Sequence, residues 1–151
     1  MASPLILIIE DNREIRLSAR FVLEDFGFAV AEVDSPAQAK IWLARQKADL
    51  LLLDMNFGLD TTSGEEGLAF LQWLQQQGQD TPVVAMTAWS NTALVVKAMQ
   101  LGAGDFIEKP WNNQRLHQVI QQQLQLQQLN RSNLALSQRL EDAGPQRQFA
   151  D

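Results

Sequence analysis

The chain has 151 residues, 46% of them hydrophobic, a formal net charge of −6 and a sequence pI near 4.7, enough for one globular domain with a genuine core and an appendage but crowded for two. That acidity excludes a nucleic-acid footprint of clustered Lys and Arg, so direct nucleic-acid contact is not expected. The absence of cysteine excludes a disulfide framework, thiolate catalysis and Cys-based zinc, and fits a reducing compartment. The apolar stretch from Leu5 to Ile9 is too short for a signal or membrane segment and runs straight into acids, so the chain reads as soluble and cytoplasmic, with no membrane partner.

Short apolar runs alternate with segments of helical period, the pattern of repeated βα units that build a parallel sheet covered on both faces. The first strand is Leu5 to Ile9. Asn12 caps a helix in which Ile15, Ala19, Val22 and Phe26 recur at spacings of three and four, and Gly27 ends it. A second strand, Ala29 to Val33, is followed by Ser35 as N-cap and Pro36 at the first helical position, with Ala39, Trp42 and Leu43 turned inward. The run Leu50 to Leu53 reads as a fully buried third strand. Leu68, Leu71 and Leu74 mark a third helix that ends near Gly78, before a fourth strand at Pro82 to Met86. Asn91 or Thr92 starts a fourth helix with Leu94, Val95, Ala98 and Leu101 inward, closed by Gly102, and Asp105 to Glu108 is the fifth strand. The last helix opens near Asn112 and meets no stop signal before Gly144 and Pro145.

Four of these strands end in chemistry. Glu10 and Asp11 follow the first, Asp54 the third, Thr87 the fourth and Lys109 the fifth. In an open parallel sheet the carboxyl ends of the strands lie along one edge, where such sheets place their ligand crevice. Three acids, a hydroxyl and an ammonium therefore converge there. A carboxylate alone at a strand end is commonplace, and so is a threonine that merely caps a helix. The whole set in register is what carries weight.

These residues, in this order, resemble a two-component response-regulator receiver domain over roughly Pro4 to Gln125. The resemblance implies a flavodoxin-like, doubly wound α/β fold of five βα units with strand order 2-1-3-4-5, an order the chemotaxis member of the family illustrates. It implies Glu10 and Asp11 as the acidic pair, Asp54 as the phospho-acceptor, Thr87 with Ala88 as the switch hydroxyl, and Lys109 with Pro110 as the lysine and its cis peptide. Phe106 matches the aromatic that moves into space vacated by the switch hydroxyl. By itself it would be read as core, since aromatics on parallel strands are expected to be buried. The partner implied is a sensor histidine kinase that donates the phosphoryl group, and the output surface is the fourth helix, fifth strand and fifth helix. Such a protein phosphorylates and dephosphorylates itself without being an enzyme in the ordinary sense.

A carboxylate that attacks a phosphoryl donor must stay ionised while more negative charge arrives, and a divalent cation resolves that conflict. Magnesium prefers hard oxygen ligands. Asp11 and Asp54 are expected as direct Mg2+ ligands and Glu10 as a water-mediated one, with the backbone carbonyl of Asn56 added by resemblance. Lys109 would contact Asp54 before phosphorylation and a phosphoryl oxygen after it.

The segment from Asn56 to Gly67 is longer by about five residues than the short turn of the family, a length at which loops are often functional. It is expected to be either a lid or recognition loop beside Asp54, or an early start of the third helix through a Ser63–Glu66 capping box. Beyond Leu124 a Gln-rich stretch places Leu126, Leu129, Asn133, Leu136 and Leu140 at spacings of three and four, an a/d seam with Asn133 at an a position. The expected organisation is a receiver over residues 1–125, a coiled-coil-like dimerisation linker over 126–143 and a disordered tail over 144–151. The homodimer would form through helix five and that linker. A short run of this kind also fits a solvated tail ordered only by a partner. Long loop and linker together resemble the receivers of bacterial enhancer-binding, AAA+-linked transcription activators, whose output domains are not in this sequence, which has neither a P-loop motif nor a basic recognition helix.

Trp42 and Trp73 read as helix packing, Trp89 and Trp111 as flanks of the site, and His117 as a surface residue rather than a ligand. Two other functions compete with the switch. An FMN binder would want a hydroxyl- and glycine-rich loop where Glu10 and Asp11 stand. A pseudo-receiver serving only as a dimerisation module would not need Asp11, Asp54, Thr87 and Lys109 intact.

Overall fold

The computed structural model describes residues 3–55, 65–87 and 92–142, with side chains up to residue 129. Five strands and five helices alternate: β1 Leu5–Ile9, α1 Arg13–Asp25, β2 Ala29–Val33, α2 Pro36–Arg45, β3 Leu50–Asp54, α3 Glu65–Gln76, β4 Val83–Thr87, α4 Thr92–Gln100, β5 Asp105–Glu108 and α5 Asn113–Asp142. The strands form one parallel sheet in the order β2-β1-β3-β4-β5, the flavodoxin-like order expected.

Both faces of this sheet are covered, which is why the central strands read as unbroken apolar runs. Ile6, Ile8, Leu50, Leu52, Val84 and Met86 point to one face, where Ala19 and Leu23 of α1 and Leu116, Val119 and Ile120 of α5 bury them. Leu7, Ile9, Leu51, Leu53, Val83 and Ala85 point to the other, against Ala39, Phe70, Leu71, Leu74, Leu94 and Ala98. Trp42 and Trp73 lie half-buried against this second layer, as their helical spacing predicts. Each buried leucine or isoleucine adds about 1.5–3 kcal/mol over an exposed one, so the sheet is a rigid platform for whatever its edge carries.

Helix ends follow their local signals. The Asn12 side chain accepts from the Ile15 N–H and the Ser35 side chain from that of Gln38, with Pro36 opening α2. Gly27 at φ +92° and Gly102 at φ +107° close α1 and α4 in the left-handed region that favours glycine. β4 runs one residue later than the apolar run alone indicates. Pro82 has no N–H to place in the ladder and contributes its carbonyl to Leu51 instead, while Thr87 pairs with Glu108.

His117 is half-buried rather than a bare surface residue: its ring stacks on Phe26 with centroids 4.1 Å apart and 6° between planes, and meets Phe28 edge-on at 5.9 Å. It ties α5 to the end of α1. At 30 residues α5 is about 45 Å long, far more than the sheet covers. Its sheet-facing side chains Leu116, Val119, Ile120, Gln123 and Leu124 are buried or half-buried, whereas Leu126 and Leu129 are 45% and 58% exposed. The side chains of Asn133, Leu136 and Leu140, and the tail over 144–151, lie outside the described residues.

Candidate functional site

The parallel register brings the ends of β1, β3, β4 and β5 into line. Ile9 pairs with Leu53, Asp54 with Met86 and Thr87 with Glu108. The main chain continues to pair just past the strands: Glu10 N–H donates to the Val33 carbonyl at 3.2 Å, Met55 N–H to that of Met86 at 2.9 Å and Lys109 N–H to that of Thr87 at 2.7 Å. Gly67, already inside α3, lets that helix approach the buried Met55, because a Cβ there would stand 2.9 Å from the Met55 sulfur. Glu65, Glu66 and Gly67 are thus helical, so this part of the long segment after Asp54 begins α3. Asn56 and residues 57–64, with the Asn56 carbonyl and the Ser63 cap, lie outside the described residues.

Lys109 stands at the centre of the site. Its Nζ lies 2.8 Å from Glu10 Oε1 and 2.9 Å from Asp54 Oδ1, and the peptide that follows it, Lys109–Pro110, is cis. Glu10 and Asp54 are buried and Asp11 is exposed beside them. Ligand oxygens from Glu10, Asp11 and Asp54 all lie within 4.8 Å of one another. Three hard carboxylate oxygens at that separation fit a divalent cation of the magnesium type.

Electrostatics of the pocket point the same way. Burial, and then the adjoining Asp54 through its hydrogen bond and its charge, push the Glu10 carboxyl up to about 8, against the opposing pull of Lys109. Burial also works against the charged form of Lys109, but Glu10 and Asp54 outweigh it and hold the ammonium above its ordinary range. The pocket therefore has more buried acid than one ammonium neutralises, and Glu10 keeps a proton that a cation would displace.

Thr87 is 2% exposed, and its hydroxyl has no hydrogen-bond partner among the described residues. Phe106 is 36% exposed. Alternation along β5 turns it away from the buried Ile107, toward the face that carries α4, where Val96 and Met99 are also exposed. Ala88, Trp89 and Asn91 lie outside the described residues. Trp111 is half-buried against the α1/α5 layer.

Sequence reasoning missed two features. A groove of about 540 Å³ opens beside Lys109 between Glu14, Ile15 and Ser18 of α1 and Pro110, Trp111 and Asn113. The other is a chain of charges on the opposite flank, where Arg16 reaches back to the Glu10 carbonyl and forward to Glu32. Its only trace in the sequence is an arginine one turn after the Asn12 cap.

Comparison with known proteins gives a consistent family. The response regulator receiver domain matches residues 6–121. The chain is 37% identical over 125 residues to the alginate biosynthesis transcriptional regulatory protein AlgB of Pseudomonas putida, covering 83% of this chain and 27% of AlgB. It is 29% identical over 142 residues to the C4-dicarboxylate transport transcriptional regulatory protein DctD of Rhizobium meliloti, covering 94% and 30%. This chain thus spans less than a third of either relative. Among solved structures, NtrX from Brucella abortus superposes with a TM-score of 0.81 at 28% identity, over 89% of this chain and 29% of NtrX. The signal receiver domain of a LuxO repressor protein from Vibrio parahaemolyticus superposes with 0.75 at 29%, over 85% and 95%.

Proposed function

The chain belongs to the response regulator receiver domain family, and on that footing we propose that it is a phosphorylation-controlled switch in which Asp54 accepts a phosphoryl group from a sensor histidine kinase. The observation that carries this reading is the Lys109 ammonium bridging Glu10 Oε1 and Asp54 Oδ1, with the exposed Asp11 completing the acid cluster. A carboxylate oxygen of Asp54 attacks phosphorus, the bond from phosphorus to the donor nitrogen breaks with its electron pair leaving on nitrogen, and an acyl phosphate remains on Asp54. Magnesium held by Asp11 and Asp54, with Glu10 behind them and the Asn56 carbonyl as a further ligand, would supply positive charge against the transferring group. Lys109 keeps the acceptor oriented and then moves its charge-assisted contact to a phosphoryl oxygen. The apolar groove between α1 and Trp111 is where we seat the donor, because it opens directly onto Lys109.

Incubation with acetyl phosphate and magnesium tests the reading. One phosphoryl group on the peptide containing Asp54 is the expected result, and modification at another residue, or none, overturns it.

In the switch, Thr87 donates its hydroxyl to the new phosphoryl oxygens and Phe106 turns into the space it leaves, altering the surface of α4, β5 and α5. Among the described residues that hydroxyl is a buried polar group without a hydrogen-bond partner, a state that costs about 1–3 kcal/mol. Thr87→Val is therefore expected to raise the unfolding free energy by about 1 kcal/mol while leaving acetyl phosphate modification in place. Phosphorylated Thr87→Val should lack the chemical shift changes at Phe106 that the wild type shows, as measured by denaturant melts and NMR.

The organisation that fits is a receiver over residues 1–125, a helical dimer linker from Leu126 to residue 143 and a tail from 144. The exposure of Leu126 and Leu129 on a helix that continues past the sheet supports it. The output would be a domain of the enhancer-binding, AAA+-linked kind or a separate downstream protein, with transcription as the controlled process.

The raised Glu10 carboxyl gives the site a pH signature. Between about 4.5, where an ordinary glutamate loses its proton, and about 8, the folded chain holds a proton that the unfolded chain has released. Stability without metal therefore falls as pH rises through that window. Magnesium must displace the same proton, so its apparent affinity is expected to rise with pH up to about 8, by at most about tenfold per unit. Calorimetric titrations in buffers of different ionisation heat should record the proton release. Affinity independent of pH would overturn the assignment of Glu10 to the cation site.

A further inference from the structure

We propose that Arg16, braced by Glu32, is a positioning residue that holds the peptide joining Glu10 to Asp11 and so aims the acidic pair at the cation. This assignment rests on the reading of the acid cluster given above.

Arg16 sits in the first turn and a half of α1, 16% exposed at its side chain. Its Nη1 donates to the Glu10 carbonyl at 2.9 Å, the oxygen of the very peptide that precedes Asp11, and its Nε donates to Glu32 Oε1, also at 2.9 Å. Arg20 Nη1 donates to the other oxygen of Glu32 at 2.9 Å. Burial alone would raise the Glu32 carboxyl, but the two guanidinium hydrogen bonds outweigh it and hold it below its ordinary range, so Glu32 remains an anion that fixes the Arg16 fork.

The rest of the β1–α1 loop is fixed from other directions. The Glu10 N–H is taken by the Val33 carbonyl, and Val33 follows Glu32 on β2. Beyond Asp11, Asn12 donates its N–H to Glu10 Oε2 at 3.3 Å and caps α1 through Ile15. Asp11 therefore lies between two residues whose main-chain positions are set, and the Glu10 carbonyl is the point that only Arg16 secures among the described residues. Carboxylates held before the cation arrives bind it more tightly than ones that must be ordered on binding, and partners that orient ligands are commonly worth about 10- to 100-fold in affinity. A planar fork that donates in two directions suits this task, and lysine does not reproduce it.

The sign of the effect separates positioning from charge. By charge alone, removing a cation beside an acid cluster strengthens magnesium binding. Loss of positioning weakens it. Arg16→Ala is expected to weaken magnesium about 10-fold by calorimetric titration, and to slow acetyl phosphate modification at limiting magnesium while approaching the wild-type rate at saturation. Arg16→Lys, which keeps the charge and loses the fork, should also bind magnesium more weakly than wild type, and it carries the test if the alanine variant does not fold. Unchanged or tighter binding in the folded variants, whatever their Tm, overturns the assignment of Arg16 and leaves the acceptor reading intact. Wild-type protein that takes neither magnesium nor a phosphoryl group overturns both.

Discussion

Asp54→Asn is expected to reduce phosphoryl incorporation by at least about 10³-fold, the scale on which enzymes lose rate when a nucleophile is removed, while the fold survives. The argument for lost reactivity is chemical: the amide has no anionic oxygen to attack phosphorus, and among the described residues the other acid in contact with Lys109 is Glu10, which is buried and keeps its proton. The argument for a retained fold comes from the pocket's charge. Asparagine nearly matches aspartate in shape, and its introduction removes one of two buried carboxyl groups that share a single ammonium. Lys109 then has Glu10 to itself. Part of what raises the Glu10 carboxyl is Asp54, so in the variant the fall of stability between pH 4.5 and 8 should become shallower. Intact-mass measurement after acetyl phosphate treatment, alongside denaturant melts at two pH values, checks both halves. Wild-type levels of modification in the variant would move the acceptor elsewhere.

Much of this site is legible in the sequence because its residues are tied to strand ends. The run Leu50 to Leu53 has to be a strand covered on both faces, and once it is, Asp54 has to stand at the edge of the sheet next to the residues that end β1, β4 and β5. Helix limits are legible for a similar reason: Asn12, Ser35, Gly27 and Gly102 act on neighbours only a few residues away. What escapes is the side chain that acts at a distance. Arg16 looks like part of the solvated face of an amphipathic helix, and its partner Glu32 sits on another element at a position where β2 alternation says nothing about an arginine. Gln123 is hidden differently. Nothing local distinguishes it from the other glutamines of α5, yet it is 7% exposed and donates to the Gly104 carbonyl at 3.3 Å, in space that exists because Gly104 has no Cβ. The ring contacts of His117 are hidden for the same reason, since its neighbours Phe26 and Phe28 come from the far end of α1. The ion pair of Glu10 with Lys109 is hidden from local reading as well, because it spans nearly the whole domain.

Lys109→Met is expected to cost about 3 kcal/mol of stability at pH 8 without magnesium, the lower end of the range for removing one partner of a buried ion pair. The lower end applies because Glu10, with its carboxyl already pushed up to about 8, can take a proton and relieve part of the repulsion with Asp54. The same reasoning fixes the pH dependence. As pH falls from about 8 to about 6, Glu10 becomes fully protonated and the penalty should shrink, so wild type and variant converge on the acid side. Magnesium should also reduce the difference, since a cation among Glu10, Asp11 and Asp54 replaces the missing charge. Reactivity separates from stability here. Asp54 remains a nucleophile, so the variant should still be modified by acetyl phosphate, about 10²-fold more slowly, as when one electrostatic contact to a transferring group is lost. The phosphorylated variant should nonetheless leave Phe106 in its outward position, because the phosphoryl group is then held at one corner fewer and the pull on Thr87 is lost. Urea melts across pH with and without magnesium, together with NMR of the phosphorylated variant, measure each of these. A penalty that does not change with pH would show that Lys109 supports the fold through its methylene packing, and a normal Phe106 response would remove it from the switch.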